Sequence, residues 1–236
     1  MQLEPIRTNE NAPGSVVLGR RISSEAQKVL RNTYLLLALT MVPTIAGAWL
    51  GMATASIITG SPIISFFVML AAVIGLQFGI ARFRNSAIGI ALLLLMTFLL
   101  GWFLGPLLNY ALALKNGMQL VGYAAAGTGI VLFAMGTIAT TTKRDFSFMG
   151  KFLFVGMIVL LVAMIANMFL QIPALALTIS SLVIVVFSLF LLYDLSRIVN
   201  GGETNYVMAT TGVYMSLFNI FANLLQVLMA LTGDRD

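Results

Sequence analysis

The sequence predicts an all-α membrane protein with seven transmembrane helices, and two observations lead to this fold class. Hydrophobic residues make up 60% of the 236 residues and charged residues only 9%, whereas soluble domains carry about 25% charged residues. The charges also leave five uncharged stretches, at 32–81, 85–114, 116–142, 152–193 and 204–233. A membrane-spanning helix needs about 20 apolar residues. The first and fourth stretches are therefore long enough for two spans each, and the others for one.

Turn signals divide the two long stretches. The string SIITGSP at 56–62 divides the first, with Ser61 as the expected N-cap and Pro62 at the first helical position. The string QIP at 171–173 divides the fourth, and Pro173 begins the next helix. The predicted spans are 32–54, 62–81, 86–108, 119–140, 150–170, 173–198 and 205–231.

The distribution of Lys and Arg predicts the orientation in the membrane, because cytoplasmic loops carry the excess of positive charge. One side of the predicted topology receives eleven Lys and Arg residues, and the other only Lys115 and Arg235. We therefore expect a cytoplasmic N-terminus and, with seven spans, a periplasmic or extracellular C-terminus. An even span number would return Arg235 to the basic side, so the charge count alone does not exclude six or eight spans. Residues 1–27 lack the apolar core of a signal peptide, so we interpret them as a flexible cytoplasmic tail and 28–236 as the membrane domain.

Several classes of function are disfavoured by the residues that the chain lacks. It contains no Cys and no His, which removes disulfides, thiol redox chemistry, His-based triads and the usual zinc sites. Apart from Asp194, near the end of the sixth predicted span, no carboxylate lies inside a predicted span, so two-aspartate intramembrane proteolysis is also unsupported, and each Lys outside the tail falls at a loop edge. We expect no enzyme and no cofactor. The net charge of +5 resides in short loops and the tail, so the expected partner is the lipid bilayer and not nucleic acid.

Small residues are concentrated in the fourth predicted span, and this concentration predicts its place in the bundle. Small side chains let helix backbones approach closely in a membrane, so we expect the fourth span at the bundle centre. The residues concerned are Gly122, Ala124, Ala125, Ala126, Gly127 and Gly129.

The seventh predicted span carries a polar stripe. Ser216, Asn219, Asn223 and Gln226 follow one another at spacings of three, four and three, which places them on one helical face. An unpaired amide in hydrocarbon costs several kcal/mol, so this face must meet protein or a wet cavity. Interhelical hydrogen bonding and a polar pathway through the bundle both fit the pattern.

Asp194 is the most informative charge, because it is the first charge after Lys151 and ends a long uncharged stretch. A helix that begins at Pro173 can continue to Asn200, where Gly201 supplies a left-handed stop. The helix dipole disfavours a carboxylate near a helix C-terminus, so capping does not explain Asp194. Arg197, three residues later, could neutralise it at a wet interface. Alternatively, Asp194 is a functional group, as carboxylates in or near the membrane often are.

Two loops on the basic side are candidate contacts for a protein partner. The loop TTKRDFSFMG carries Lys143, Arg144 and Asp145, and an ordinary loop with topology-setting charges is the alternative interpretation. The turn GGETNY carries Glu203 and Asn205, and its two glycines indicate a required backbone shape.

Five strings along the chain resemble the transmembrane Bax inhibitor motif family, and most closely its bacterial YccA-type branch. They are KVLRNTYLLLALT (28–40), LGPLLN (104–109), TTKRDFSFMG (141–150), ANMFLQIPAL (166–175) and NGGETNYVMATTGVYMSLFNIF (200–221). The resemblance covers the chain from about residue 28 to its end. It implies a seven-helix bundle in which one central helix is ringed by the others. It also implies a bacterial inner-membrane location with a cytoplasmic N-terminus.

The resemblance implies two functions. In the bacterial branch, it implies a modulator and poorly degraded substrate of the membrane-anchored AAA protease FtsH, working with associated membrane proteins in membrane-protein quality control. In the wider family, it implies a pH-sensitive calcium leak gated by two hydrogen-bonded aspartates and a basic residue. Asp194 matches the first aspartate, Ser216 replaces the second, and Arg82 or Arg84 matches the basic residue.

The loss of the second aspartate favours the protease modulator over the calcium leak. Two carboxylates that share a proton form a pH sensor, and an aspartate beside a serine does not. Calcium also prefers six to eight oxygen ligands, including several carboxylates. The modulator is therefore the leading hypothesis, and the calcium leak is the alternative.

Overall fold

The computed structural model describes residues 22–142 and 144–232, and this part of the chain forms eight α-helices and no strand. Seven of the helices are long and apolar enough to cross a membrane, which confirms the all-α, seven-span prediction for a multi-pass membrane protein. The helices are α1 (Ser24–Ala53), α2 (Ala55–Thr59), α3 (Pro62–Arg82), α4 (Ala87–Leu112), α5 (Gly117–Thr141), α6 (Met149–Leu170), α7 (Pro173–Val199) and α8 (Tyr206–Thr232).

The predicted boundaries agree with the helices within two residues, except at the start of α1 and at the end of α4, which continues four residues past the predicted 108 to Leu112. Pro62 and Pro173 begin α3 and α7 as predicted, and Ser61 takes the N-cap position of α3 but makes no capping hydrogen bond with its side chain. Helix α1 begins eight residues before the predicted span, because the hydroxyl of Ser23 accepts a hydrogen bond from the Ala26 N–H at 3.1 Å. Most of the predicted tail, residues 1–21, lies outside the described residues.

One end of the bundle collects the positive charge. Contacts between helix ends show that the starts of α1, α4, α6 and α8 lie at the same end of the bundle as the ends of α3, α5 and α7. We call this the basic end. Its described Lys and Arg residues are Lys28, Arg31, Arg82, Arg84, Arg144, Lys151 and Arg197.

The central helix is α8, not the fourth span, so that prediction is wrong. Helix α8 packs against α1, α3, α4, α5 and α7, whereas α5, which is the fourth span, packs against α4, α7 and α8. Helix α6 lies outermost and packs mainly against α7. The contacts of α5 use a face with Leu120, Ala124 and Thr128, while Gly122 and Gly129 remain exposed. Small residues permit another helix to approach closely, but they do not determine which neighbouring helix packs against them.

Glycines on α1 and α4 bring the backbones of these two helices into direct contact. Gly47 and Gly51 on α1 face Gly101 and Gly105 on α4, and each pair is spaced by four residues. A Cβ added at Gly101 would overlap the carbonyl oxygen of Thr44, and one added at any of the other three would overlap backbone atoms of the facing helix. This is the close, small-residue packing that stabilises helix pairs in membranes.

Hydroxyl groups connect this helix pair to the central helix. The hydroxyl of Tyr214 on α8 lies 2.8 Å from the Thr44 hydroxyl on α1, and it donates to the Thr97 carbonyl on α4 at 3.4 Å. Tyr214 is only 2% exposed. Nearer the other end, the indole N–H of Trp102 donates to the Thr54 hydroxyl at 2.8 Å. Hydrogen bonds between membrane helices contribute about 0.6 kcal/mol each on average, so this network is a modest addition to the packing of the bundle.

Candidate functional site

A glycine turn at the basic end joins α7 to α8 and carries most of the predicted site residues around it. Gly201 has a φ of 77°, the left-handed conformation that glycine adopts without strain. Its N–H donates to the Ile198 carbonyl at 3.2 Å, and the N–H of Gly202 donates to the Arg197 carbonyl at 2.8 Å. These two bonds form a Schellman motif, which confirms the predicted stop of α7 at Gly201.

Asn205 caps the N-terminus of α8 and joins it by hydrogen bonds to the loop between α3 and α4. Its side-chain oxygen accepts hydrogen bonds from the N–H groups of Val207 and Met208, both at 3.0 Å. Its side-chain nitrogen donates to the Arg84 carbonyl at 3.1 Å and to the Asn85 side-chain oxygen at 2.8 Å. A capping asparagine stabilises a helix by about 1 kcal/mol. These bonds give Asn205 an internal role, and its predicted contact with a partner stays a prediction.

Arg197 pairs with Glu203 instead of Asp194. Its guanidinium lies 3.5 Å from the Glu203 carboxylate, donates to the Gly202 carbonyl at 3.2 Å, and stacks 5.5 Å from the ring centre of Tyr193. The other carboxylate oxygen of Glu203 accepts a hydrogen bond from the Asn205 N–H at 3.0 Å. The expected i,i+3 ion pair of Asp194 and Arg197 is therefore not formed, because the Arg197 guanidinium binds the Glu203 carboxylate and the Gly202 carbonyl of the turn instead.

Asp194 packs against the bare backbone of α8. A Cβ added at Gly212 would lie 2.7 Å from one carboxylate oxygen of Asp194 and 3.2 Å from the other. Among the described residues, Asp194 forms no hydrogen bond and no ion pair. The carboxylate thus fills the space that a side chain at position 212 would need. Gly212 was missed in the sequence because a lone glycine in a helix gives no indication of its neighbour.

The matching position Ser216 lies one helical turn beyond Gly212. Ser216 is 2% exposed, and within the described ranges no hydrogen bond joins it to Asp194. The structure therefore brings Asp194 against position 212 more directly than against position 216. A gating role for Asp194 and Ser216 stays a prediction.

Neither predicted basic partner contacts Asp194 in the part of the chain that the structure describes. The guanidinium of Arg82 lies 5.8 Å from the ring centre of its neighbour Phe83. Arg84 is exposed, and its backbone carbonyl is the group that binds Asn205. The choice between Arg82 and Arg84 stays open.

The loop between α5 and α6 is held against the end of α7. The buried hydroxyl of Ser196 accepts a hydrogen bond from the Phe146 N–H at 3.1 Å and another from the Asn200 side chain at 3.1 Å. Arg144 and Asp145 are exposed in this loop, and the Asp145 side chain accepts a hydrogen bond from the Ser147 N–H at 2.8 Å. Lys143 lies outside the described residues. Contact of this exposed loop with a partner stays a prediction.

The polar stripe of α8 is bonded mostly to its own helix. Asn219 and Asn223 each donate to a carbonyl one turn earlier, at 2.8 and 2.9 Å. Gln226 reaches another helix, and its oxygen accepts a hydrogen bond from the Ser180 hydroxyl on α7 at 3.3 Å. Ser216 and the two asparagines make no hydrogen bond to another helix within the described residues. One interhelical bond is therefore present, and a polar pathway stays a prediction.

At the basic end, hydrogen bonds and one ion pair hold the helix ends and their connecting loops in place around the Asp194 carboxylate. Asn205 joins the α7–α8 turn to the α3–α4 loop, Ser196 joins the end of α7 to the α5–α6 loop, and the Arg197–Glu203 pair closes the α7–α8 turn itself. The described residues contain no cluster of three or more His, Cys, Asp or Glu side chains that could hold a metal ion. The geometry supports tight connection of the loops more directly than it supports chemistry.

The model of a known protein family matches most of this chain. The sequence model of the family described as "Inhibitor of apoptosis-promoting Bax1" matches residues 26–233. This range includes all seven long helices except the first two residues of α1, so the match covers the candidate site and its framework.

Bacterial relatives are similar over nearly the same length. A protein of Escherichia coli strain K12 named "Modulator of FtsH protease YccA" is 41% identical over 201 residues, which cover 85% of this chain and 89% of the relative. An uncharacterized membrane protein of Vibrio cholerae is 41% identical over 204 residues, covering 86% and 90%. An uncharacterized protein of Neisseria meningitidis serogroup A is 40% identical over 210 residues, covering 87% and 92%.

Proposed function

This chain belongs to the Bax inhibitor family, and from that premise we propose that it is a modulator and slowly degraded substrate of the membrane-anchored AAA protease FtsH. The observation that carries the proposal is its 41% identity, over 85% of its length, to the relative named as a modulator of that protease. In this proposal it is not an enzyme. It lies in the bacterial inner membrane with the basic end in the cytoplasm, because positive charge accumulates on that side.

The packing of α1 supports slow degradation. A protease that extracts a membrane protein from its N-terminus must first pull α1 away from its neighbours. Helix α1 is in backbone contact with α4 through Gly47 and Gly51, and Thr44 joins it to α8. These contacts have to break together, so the first helix is not a loose end from which unfolding starts easily. A protein of this kind engages the protease for longer than a loosely packed substrate does.

The first test asks whether the N-terminal tail is where the protease takes hold. Residues 2–21 are deleted, so that the Ser23 cap of α1 is kept, and the half-life of the protein is measured in cells with and without FtsH. We expect the deletion to lengthen the protease-dependent half-life several-fold. The matched control replaces the same residues by a Gly/Ser segment of equal length, which should restore degradation. An unchanged, protease-dependent half-life after deletion would refute gripping at the tail.

The second test asks whether the complex exists at all. The full chain is solubilised in a mild detergent, purified through an affinity tag, and analysed for FtsH and its associated membrane proteins by mass spectrometry. We expect the protease to copurify. Recovery of other inner-membrane proteins without any protease would contradict the proposed function, whatever the tail deletion shows.

A cation leak is the second candidate, and Asp194 is the observation that favours it. A carboxylate with no described hydrogen-bond partner beside Gly212 is uncommon in a helix interface. Vesicles that contain the purified chain and a calcium dye would measure the flux as pH is varied. Ser216→Asp should create a pH-dependent flux that the parent lacks, and Asp194→Asn combined with Ser216→Asp should abolish it. A flux in the parent as strong as in Ser216→Asp would favour the leak instead.

A further inference from the structure

A groove between α1 and α5 is left open by the packing of the bundle. Both helices pack against α7 and α8 but not closely against each other. The groove between them has a volume of about 380 Å³. Helix α1 contributes Leu30 and Tyr34, and α5 contributes the face from Gly129 to Thr140. The groove is mostly apolar and opens on the outer surface of the bundle.

Tyr34 places a polar group in this apolar groove. Its side chain is 37% exposed, and its hydroxyl oxygen lies 3.3 Å from the position that a Cβ on Gly136 would occupy. Among the described residues, the Tyr34 hydroxyl has no hydrogen-bond partner. Because this side chain is partly exposed, its hydroxyl is available as a hydrogen-bond donor to a molecule that occupies the groove.

The length of the groove matches one leaflet of a bilayer. From Gly129 to Thr140 the helix rises eleven residues, which is about 16 Å at 1.5 Å per residue. Half of a hydrocarbon core of about 30 Å is about 15 Å. The groove therefore fits an acyl chain from the leaflet on the basic side. A transmembrane helix from another protein would need a contact face through both leaflets.

Two exposed arginines lie close in sequence to the residues that line the groove at the basic end. Arg31 follows the lining residue Leu30 and is exposed, and Arg144 lies three residues beyond the end of α5 and is exposed too. Neither forms an ion pair with another described residue. Basic pockets between membrane helices on the positive side are a recurrent way to bind anionic lipid headgroups.

We propose that this groove is a binding site for an anionic phospholipid. One acyl chain lies along α5 between Gly129 and Gly136. The Tyr34 hydroxyl donates a hydrogen bond to an ester carbonyl of the lipid, and Arg31 and Arg144 hold the phosphate. The site is separate from Asp194 and does not depend on the proposed protease.

The test begins with the purified full chain, stripped of lipid in detergent and titrated with one phospholipid at a time under native mass spectrometry. Phosphatidylglycerol and phosphatidylcholine with identical acyl chains are the two probes. We expect a discrete one-to-one adduct, with phosphatidylglycerol binding at least 10-fold more tightly. Equal affinity for the two lipids, or a continuous series of adducts without a discrete first one, would overturn the proposal.

Two leucine variants test the position of the site. A Cβ added at Gly129 meets nothing within 4 Å, so Gly129→Leu fills the groove without disturbing the fold. Gly156 on α6 is equally open and lies outside the groove, so Gly156→Leu is the matched control. We expect Gly129→Leu to weaken phosphatidylglycerol binding at least 10-fold, Gly156→Leu to leave it unchanged, and both variants to keep the parent's melting temperature. Equal binding by the two variants would overturn the proposed location.

Two further measurements test the chemistry and the occupant. Arg31→Gln should reduce the preference for phosphatidylglycerol over phosphatidylcholine several-fold while the phosphatidylcholine adduct remains. Inorganic phosphate at the concentration of the lipid should not compete, because the acyl chain contributes to binding. Competition by phosphate would contradict the acyl-chain part of the proposal. If Gly129→Leu instead abolished a dimer and left lipid binding intact, the groove would be an interface between copies and not a lipid site.

Discussion

Two parts of the molecule are rich in small residues, and they have opposite surroundings. On α1 and α4, Gly47, Gly51, Gly101 and Gly105 lie so close to the facing helix that none has room for a methyl group. On α5, Gly122 and Gly129 meet nothing within 4 Å. Both parts come from apolar helices of similar length. Composition alone therefore does not distinguish a glycine-rich face that packs against another helix from one that is exposed on the surface of the bundle.

The difference lies in whether the facing helix also presents small residues at the contact. Helix α1 presents glycines four residues apart to a helix that carries glycines at the same spacing, so both backbones approach. The small residues of α5 have no such counterpart. Where α5 does meet α8, a Cβ on Gly127 would touch the flexible end of Leu224 and not backbone. Reciprocal spacing, rather than the number of small residues, decides which helices make backbone contact.

The largest expected effect is at the α1–α4 contact. Gly101→Leu would drive a side chain into the Thr44 carbonyl of α1, and overpacking against backbone leaves no side chain that can move aside. We expect the free energy of unfolding to fall by about 3 kcal/mol or more, measured by unfolding with SDS in mixed micelles. Unfolding at the parent's SDS fraction would show that α1 and α4 are farther apart than the structure places them.

A smaller effect is expected at Gly212, where the neighbour is a side chain. Gly212→Ala would bring a methyl group to 2.7 Å from the Asp194 carboxylate, and that carboxylate can rotate at a cost. We expect a loss of about 1–3 kcal/mol in the same measurement. Asp194→Ala combined with Gly212→Ala should recover part of the loss, since the clash needs both groups. Strictly additive effects would contradict direct contact between the two residues.

The hydrogen bonds of Tyr214 are expected to contribute less than either glycine contact. Tyr214→Phe removes the bonds to Thr44 and Thr97 but keeps the ring. Because hydrogen bonds between membrane helices average about 0.6 kcal/mol, we expect a loss of about 1 kcal/mol. Tyr123→Phe, at an exposed position on α5, is the control and should unfold like the parent. A loss as large as that of Gly101→Leu would mean that the network, and not the glycines, holds α1 in place.

The smallest effect is expected on the open face of α5. Gly122→Leu adds a side chain where the structure has free space, so we expect a change within about 0.5 kcal/mol. Size-exclusion chromatography of the same variant checks whether its oligomeric state is that of the parent. A large destabilisation, or a change in oligomeric state, would show that another chain covers this face and would remove the contrast between α1 and α5.

The sequence was sufficient for the helices but not for their arrangement. Charges, Pro62, Pro173 and Gly201 act locally, so the spans, two helix starts and the stop of α7 were predictable from short stretches. The central position of α8 depends on five other helices at once. The small residues of the fourth span contain no information about those neighbours. For this reason they predicted the wrong helix at the centre of the bundle.

The candidate site was predictable only in part, for the same reason. Asp194, Arg197 and Glu203 stood out because charges near an apolar helix are unusual. Their pairing did not follow from sequence spacing, because the Schellman turn directs Arg197 towards Glu203. The position that faces Asp194 is a glycine, and a residue without a side chain gives no chemical signal of its contacts. A capping role for Asn205 was accessible, since Asn just before an apolar run is a common helix start.

The bond between Thr44 and Tyr214 joins positions 170 residues apart in the chain, and this separation has a consequence for synthesis. At about 5–20 residues per second, a ribosome needs roughly 10–35 s to proceed from the first position to the second. Throughout that interval, the newly inserted α1 lacks the tyrosine that later joins it to α8. A chain that stops before α8 never acquires it. A prematurely terminated chain therefore keeps the residues of the glycine contact between α1 and α4 but lacks the bond from Thr44 to α8.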